Sequence, residues 1–169
     1  DKNKKIYKMK ITKERLKHII KEEILSIREA NEALITEATR STIAIEDKKG
    51  NITGTYVHSD GYVEGVGAIL KKNYSKADKV ESLLALGEFG IASLGKSMAG
   101  GDGHSFAKQK KGETVFYGRD RGEDNDMTSQ FADRETFASQ HVEEFAYLYS
   151  VKDKKWYYTT DGDDGWSEL

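Results

Sequence analysis

Apolar residues recur at helical spacing over the first part of the chain. Between residues 12 and 39 aliphatic side chains stand alternately three and four positions apart, which predicts one long amphipathic helix. Thr12 stands at the expected N-cap of this helix, and Ile11 and Leu16 are placed to contact each other across its first turn. The apolar seam of the predicted helix has an asparagine at one core position and consists of Ile20, Ile24, Ile27, Asn31 and Leu34.

This seam has two interpretations. A buried asparagine at a seam position fixes the register of paired helices, so the helix could associate with a second copy of the chain. A helix of this length could equally fold back onto its own domain. The pattern alone leaves both open.

At Ser41 the pattern changes to the alternation that is typical of β-strands. Residues 42–45 and 52–57 flank a short polar loop and predict a hairpin. Residues 144–150 and 155–160 predict a second hairpin that is rich in aromatic residues. A further strand is predicted at residues 114–117.

Helices are predicted between the two hairpins. The first covers residues 62–73, the second 76–86 and a short third one 133–141, with Ser75 opening the second helix and Gly87 ending it. Their apolar positions predict a core that includes Val63, Val66, Ile69, Leu70, Val80, Leu83, Leu84 and Leu86.

The remaining segments are polar. Residues 95–113 contain several glycines and no apolar periodicity, which predicts a mobile loop, and a second polar loop, GRDRGEDND, follows the strand after it. The C-terminal DGDDGWSEL is expected to be loose except for Trp166.

Together these elements predict an α+β fold, an antiparallel sheet of about five strands covered by helices. Residues 1–40 are expected to form an N-terminal helical appendage, and residues 41–169 a compact domain.

The composition of the chain excludes several kinds of site and partner. The chain has no cysteine, which excludes disulfides, thiolate nucleophiles and cysteine-based metal sites. It carries a net charge of −2, with basic residues concentrated near the N-terminus and acidic residues after residue 112. The basic stretch lacks interleaved aromatic residues, so we expect no nucleic-acid partner. Because no long apolar run or secretory signal is present, we expect a cytoplasmic protein without a membrane partner.

The stretch YVHSDGYVEGVG, residues 56–67, is the first candidate site. It lies where a strand is predicted to end and a helix to begin, and it offers His58, Asp60, Tyr62 and Glu64. These side chains could bind an anion or serve as acid–base groups. They could also be a strand-to-helix junction, in which Asp60 makes the turn. The glycine spacing matches neither a dinucleotide-binding fingerprint nor a Walker loop.

The second candidate site is YGRDRGED, residues 117–124. Its Arg119, Asp120 and Arg121 are flanked by glycines, and arginine forks bind phosphates and carboxylates in a bidentate manner. The alternative is a solvated loop in which these charges pair with one another. His104, in a glycine-rich loop, completes the set of candidate ligand-binding residues.

We expect no metal ion and no cofactor. The histidines at 18, 58, 104 and 141 lack the close spacing of metal ligands, the acidic tail does not match a calcium-binding loop, and no serine stands in the GxSxG motif of hydrolases. The sequence therefore assigns no catalytic residue.

Part of the chain resembles a known family. TIAIE, GTYVHSDGYVEGVG and KVESLLALG within residues 42–95, with the later YGRDRGE and FAYLY and Trp156, look like a family of small uncharacterised proteins from tailed phages and prophages. The similarity spans roughly residues 42–160, although Ser59 and Val63 stand where the family pattern has an aromatic residue and a proline. The resemblance implies a phage gene, without an established activity.

The N-terminal segment has a resemblance of its own. MKITKERLK, residues 9–17, is similar to a leader helix that precedes unrelated domains in marine phage proteins. The bonds after Glu29 and Glu37 look like sites cut by prohead proteases. This implies a capsid-targeting segment that is removed during maturation.

Three functions follow as hypotheses. The first is a non-enzymatic phage accessory protein that binds a host factor or a small anionic, nucleotide-like ligand and acts in the host cytoplasm. The second is a virion protein with an N-terminal capsid-targeting helix. The third is an acid–base enzyme that acts on a phosphorylated or nucleotide substrate.

Overall fold

The computed structural model describes residues 16–17, 19–24, 39–161 and 165–169. The chain divides into two compact units, Asp1–Ile35 and Thr36–Leu169. In the first unit, residues 16–17 and 19–24 are helical. The rest of the long helix predicted over residues 12–39 lies outside the described residues.

One sheet of eight strands organises the second unit. Its order is β4-β3-β2-β1-β6-β7-β8, and β5 pairs with β2 on the same side as β3. The strands are β1 (Ser41–Glu46), β2 (Ile52–Val57), β3 (Ile91–Ser93), β4 (Val115–Phe116), β5 (Thr128–Phe131), β6 (Phe145–Ser150), β7 (Lys155–Thr160) and β8 (Ser167–Glu168).

The sheet is mixed, so the prediction of about five antiparallel strands is wrong. Both predicted hairpins form, β1 with β2 and β6 with β7. They meet in parallel, however, from the Ser41–Phe145 pair to the Glu46–Ser150 pair. The strands that the sequence missed, β3, β5 and β8, are short, and β5 and β8 are largely exposed, so no apolar alternation marks them.

Two helices cover one face of the sheet. The first, α1, begins with a π-helical turn at Val63–Gly67 and continues as an α-helix over Ala68–Asn73; the second, α2, covers Ala77–Leu86. Between them and the sheet lies the main core, which includes Ile43, Val57, Val66, Leu70, Tyr74, Val80, Leu83, Ile91, Phe116, Tyr147, Tyr149 and Trp156.

These helices fall where they were predicted, but three details differ. Leu86, expected in the core, is 39% exposed, because it stands in the last turn of α2, next to Gly87. Val63 is only half-buried in the first π-helical turn. Lys76, not Ser75, holds the N-cap position of α2, and no side chain caps it.

A smaller core lies on the opposite face. Helix α4, Arg134–Gln140, places Phe137 between Phe131 and Trp166, with ring centroids 4.5 Å and 5.3 Å away. Asp133 caps this helix by accepting a hydrogen bond from the Thr136 N–H at 2.7 Å. Residues 165–169 of the tail are therefore not loose as predicted, since β8 pairs with β7. Trp166, which the prediction excepted, packs against α4.

The two polar segments have different structures. Residues 95–113 form no helix or strand apart from an isolated bridge between Ser97 and Glu113, as the glycine content indicates. The second segment was predicted as a loop, but Tyr117–Arg121 form a short helix, α3, which ends at Gly122 in the left-handed conformation. Glycine adopts that conformation without strain.

Across the described ranges, no helix has both the length and the apolar character that crossing a membrane requires.

Tyr147 connects the sheet to the turn before α1. Its hydroxyl donates a buried hydrogen bond to the Gly61 carbonyl at 2.7 Å. Burial, to which the nearby Glu64 carboxylate adds, raises the pKa of Tyr147. We expect Tyr147→Phe to lower the free energy of unfolding by about 1–3 kcal/mol, because a buried carbonyl loses its partner. Urea denaturation followed by circular dichroism measures this difference.

The matched control is Tyr158→Phe, since Tyr158 packs at the edge of the same core and its hydroxyl makes no hydrogen bond within the described part of the chain. We expect a change below about 0.5 kcal/mol for it. Equal losses in both variants would show that the hydrogen bond to Gly61 contributes nothing specific.

Candidate functional site

An open groove of about 410 Å³ lies where β2, β3, α3 and the segment 95–113 meet. The backbone of His58 continues the ladder between β2 and β3, because its N–H donates to the Ile91 carbonyl at 2.9 Å. This bond holds His58 at the end of the strand. The groove is lined by His58, Ser59, Ala92, Ser93, Phe106, Gln109, Tyr117 and Arg121.

Aromatic rings form one wall of this groove. The rings of Phe106 and Tyr117 stack with centroids 5.9 Å apart, and Tyr117 meets the ring of His58 edge-on at 6.5 Å. The Arg121 guanidinium lies over the Phe106 ring at 4.8 Å and over the Tyr117 ring at 6.0 Å. Such stacking holds a guanidinium in place while its edge stays accessible to a ligand.

His58 has a polar partner on the strand that carries it. The Tyr56 hydroxyl lies 2.8 Å from Nδ1 of His58. Residues 56 and 58 point to the same face of β2, because side chains alternate along a strand. Burial raises the pKa of Tyr56, an effect that the nearby positive charge of Arg40 opposes.

Arg119 and Asp120 lie outside the lining of the groove. The Arg119 guanidinium forms a fork with Asp120, with Nε to Oδ1 at 2.7 Å and Nη2 to Oδ2 at 2.8 Å. It also donates to the carbonyls of Met98 at 2.6 Å and Thr114 at 2.9 Å. Arg119 thus ties the segment 95–113 to α3.

Asp120 and His104 belong to the same cluster. Oδ2 of Asp120 accepts from the Phe116 N–H at 2.8 Å and lies 3.3 Å from Nε2 of His104, whose side chain is only 1% exposed. Burial alone would raise the pKa of Asp120, but the bonds from Arg119 and Phe116 outweigh it and lower this pKa. The side chains of His104 and Asp120 therefore hold the segment together, and neither lines the groove.

The remaining candidates on the opening stretch also lie apart from the groove. Asp60 turns the chain with φ 59°, and its carbonyl accepts from the Val66 N–H at 2.8 Å. One side-chain oxygen of Asp60 is buried without a partner among the described residues, and burial raises the pKa of Asp60. Tyr62 holds the N-cap position of α1, and Glu64 is exposed in the first turn.

His58 and Arg121 are thus the two sequence candidates that share the groove. Phe106, Tyr117 and Tyr56 were missed as site residues. Signals existed in the sequence, since Phe106 is the one aromatic residue of the segment 95–113 and Tyr56 stands two positions before His58. Nothing in the pattern showed which of the two arginines faces outward.

Two further predictions from the sequence were an apolar seam for self-association and the absence of a metal ion. Of the predicted seam, Ile20 and Ile24 are 49% and 60% exposed; Ile27, Asn31 and Leu34 lie outside the described residues. Within the portion of the chain that the structure covers, no three His, Asp or Glu side chains are grouped so as to hold a metal ion.

Comparison with protein-family models, with curated proteins and with solved structures finds no match.

The different surroundings of the two arginines predict different effects of the same substitution. We expect Arg119→Lys to lower the free energy of unfolding by about 1–3 kcal/mol, because an ammonium group cannot serve the carboxylate and two carbonyls together. Arg121→Lys should change it by less than about 0.5 kcal/mol. Chemical denaturation of the two variants measures both. If they are equally stable, Arg119 does not hold the segment as its contacts indicate.

Proposed function

We propose that the protein is a non-enzymatic binding module whose groove takes a small anionic ligand with a flat ring, of the nucleotide kind. One observation carries this proposal: the guanidinium of Arg121 lies on the Phe106 ring in an open groove that also contains His58. The groove thus offers a positive charge, an imidazole and aromatic rings side by side.

The charge of Arg121 is available to a ligand at low cost. Its one ion partner among the described residues is Glu123, with Nη1 to Oε1 at 3.2 Å. The Arg121 side chain is 52% exposed, and exposed ion pairs of this kind contribute about 0–1 kcal/mol. A phosphate or carboxylate that makes bidentate bonds can therefore displace Glu123.

The rings of the groove suit a planar group. Stacking of a base on an aromatic side chain contributes about 1–3 kcal/mol, and Phe106 and Tyr117 already present a stacked pair. A groove of about 410 Å³ falls within the range of small-molecule sites. Serine hydroxyls at Ser59 and Ser93 line the same space and can bond to a sugar or phosphate.

The proposed setting is a phage-encoded accessory protein in the host cytoplasm. Its support is the resemblance of residues 42–160 to small proteins of tailed phages and prophages. A phosphate or carboxylate group on a host protein could use the same groove, because its chemistry at Arg121 would be the same.

Calorimetric titration tests the binding proposal. The panel consists of nucleoside 5′-monophosphates, the corresponding nucleosides and inorganic phosphate. We expect the monophosphates to bind more tightly than either part alone, and Arg121→Gln to weaken that binding by about tenfold or more, since a charge-assisted bond contributes about 1.5–3 kcal/mol.

Two further variants serve as controls for the effect of Arg121→Gln on affinity. Lys111→Gln removes an exposed cation from the neighbouring segment and should leave the affinity unchanged. Glu123→Gln removes the competing carboxylate and should tighten binding by about two- to fivefold. Binding that is indifferent to Arg121→Gln, or no binding by any phosphate compound, would contradict the proposal.

A second candidate function is self-association through the N-terminal helix, which is the role expected of a virion assembly segment. The observation that favours it is the exposure of apolar side chains in the helical residues 16–17 and 19–24, at Leu16 48%, Ile19 40%, Ile20 49% and Ile24 60%. Soluble monomers seldom expose such a group together.

Sedimentation analysis tests this candidate. We expect the chain to form dimers or larger species, and the double variant Ile20→Lys with Ile24→Lys to be monomeric, because charges at a seam prevent its burial. The control Lys17→Gln alters an exposed polar position of the same helix and should keep the assembly state. A wild-type chain that is monomeric at high concentration would rule out this function.

A further inference from the structure

We infer that Tyr56 sets the tautomer of His58, so that its Nε2 carries the proton and donates to the anion in the groove. The tautomer follows from the geometry of the protein alone, whereas the donation to an anion rests on the proposed function. Tyr56 is then a positioning residue: through His58 it determines which ligand groups the groove accepts.

A hydrogen bond joins the Tyr56 hydroxyl to the His58 ring. The two atoms, Oη and Nδ1, lie 2.8 Å apart. Only one proton lies between them, and it belongs either to the hydroxyl or to the imidazole. Which of the two carries it decides whether Nε2 is a donor or an acceptor.

The proton of the Tyr56 hydroxyl needs an acceptor. The Arg40 guanidinium lies close enough to affect the charge at Tyr56, but a guanidinium has no acceptor to offer. If His58 donated through Nδ1, the hydroxyl proton would have no acceptor in the part of the chain that the structure describes. The arrangement that satisfies every group has Tyr56 donating to Nδ1.

Two carboxylates lie near Tyr56 without accepting from its hydroxyl. The carboxylates of Glu143 and Glu144 lie close enough to affect the charge at Tyr56. One Glu143 oxygen accepts from the Thr42 hydroxyl at 2.6 Å, and one Glu144 oxygen accepts from the Arg40 N–H at 3.0 Å. Neither makes a hydrogen bond with the Tyr56 hydroxyl, so Nδ1 of His58 remains its acceptor.

The consequence lies at the other ring nitrogen. In a neutral imidazole whose Nδ1 accepts, Nε2 carries the proton. Nε2 makes no hydrogen bond within the described residues, and His58 lines the groove together with Arg121. The edge-on contact with Tyr117, with an interplanar angle of 80°, fixes the ring plane from the second side. The groove therefore has two donors for one anion, the Nε2–H and the guanidinium.

This arrangement disfavours general-base chemistry at His58. A general base at that position needs an unprotonated Nε2 with a free lone pair. The hydrogen bond from Tyr56 instead keeps the proton on Nε2 and the lone pair on Nδ1. The same geometry that suits binding of an acceptor thus argues for a binding module over the acid–base alternative.

Nitrogen NMR of the free protein tests the tautomer directly. At about pH 8, where histidine is ordinarily neutral, protein with ¹⁵N-labelled histidine should show the His58 Nδ1 unprotonated and the Nε2 protonated. In Tyr56→Phe we expect this signature to change toward a mixture of tautomers. Tyr158→Phe, which removes a hydroxyl from the other face of the sheet, should leave it as in the wild type.

Titration with adenosine 5′-monophosphate tests the effect on binding. We expect Tyr56→Phe to weaken affinity by about two- to tenfold, the value of one neutral hydrogen bond, and Tyr158→Phe to leave it unchanged.

Three results would count against the inference in different ways. A protonated Nδ1 in the wild type, or a spectrum that Tyr56→Phe leaves unchanged, overturns the tautomer assignment whatever binds. The expected spectrum combined with unchanged affinity in Tyr56→Phe overturns the role of Tyr56 in binding. If neither the wild type nor any variant binds the monophosphate, the proposed function fails. The NMR spectra then still decide the tautomer.

Discussion

The Asp120 carboxylate is the contact on which the groove depends. Its oxygens bond to the Arg119 guanidinium, the Phe116 N–H and the His104 ring, so that one side chain joins β4, α3 and the segment 95–113. That segment has little apolar surface of its own and cannot fold by burial alone. Because Asp120 and Arg119 hold it, Phe106 stands beside Tyr117, and the aromatic wall of the groove exists.

Local structure was largely predictable from the sequence, since both hairpins and the helices between them follow from apolar periodicity. The way the hairpins meet was not. Whether β1 lies parallel or antiparallel to β6 is decided by the tertiary packing of the long connection between them, which leaves no pattern in either strand. Strands such as β8 are too short and exposed for a period-two pattern to be visible.

The site was predictable in part. Residue chemistry drew attention to His58 and to the two arginines, but the arginines stand two positions apart on a short helical turn and therefore point in different directions. Arg119 makes its bonds within the fold, whereas Arg121 faces the groove. Asp60 shows the converse case: its residue type suggested a ligand contact, whereas its left-handed turn and the hydrogen bond to Val66 start a helix.

We propose binding in one groove, with Arg121 and His58 as donors and Phe106 and Tyr117 as the stacking surface. Backbone and side-chain NMR shifts during a titration with a nucleoside monophosphate test this placement most directly. We expect the shifts to be confined to the residues that line the groove, with the Arg121 and His58 side chains most affected. Shifts centred elsewhere, for example on the lysines of the two hairpin tips, would contradict the account.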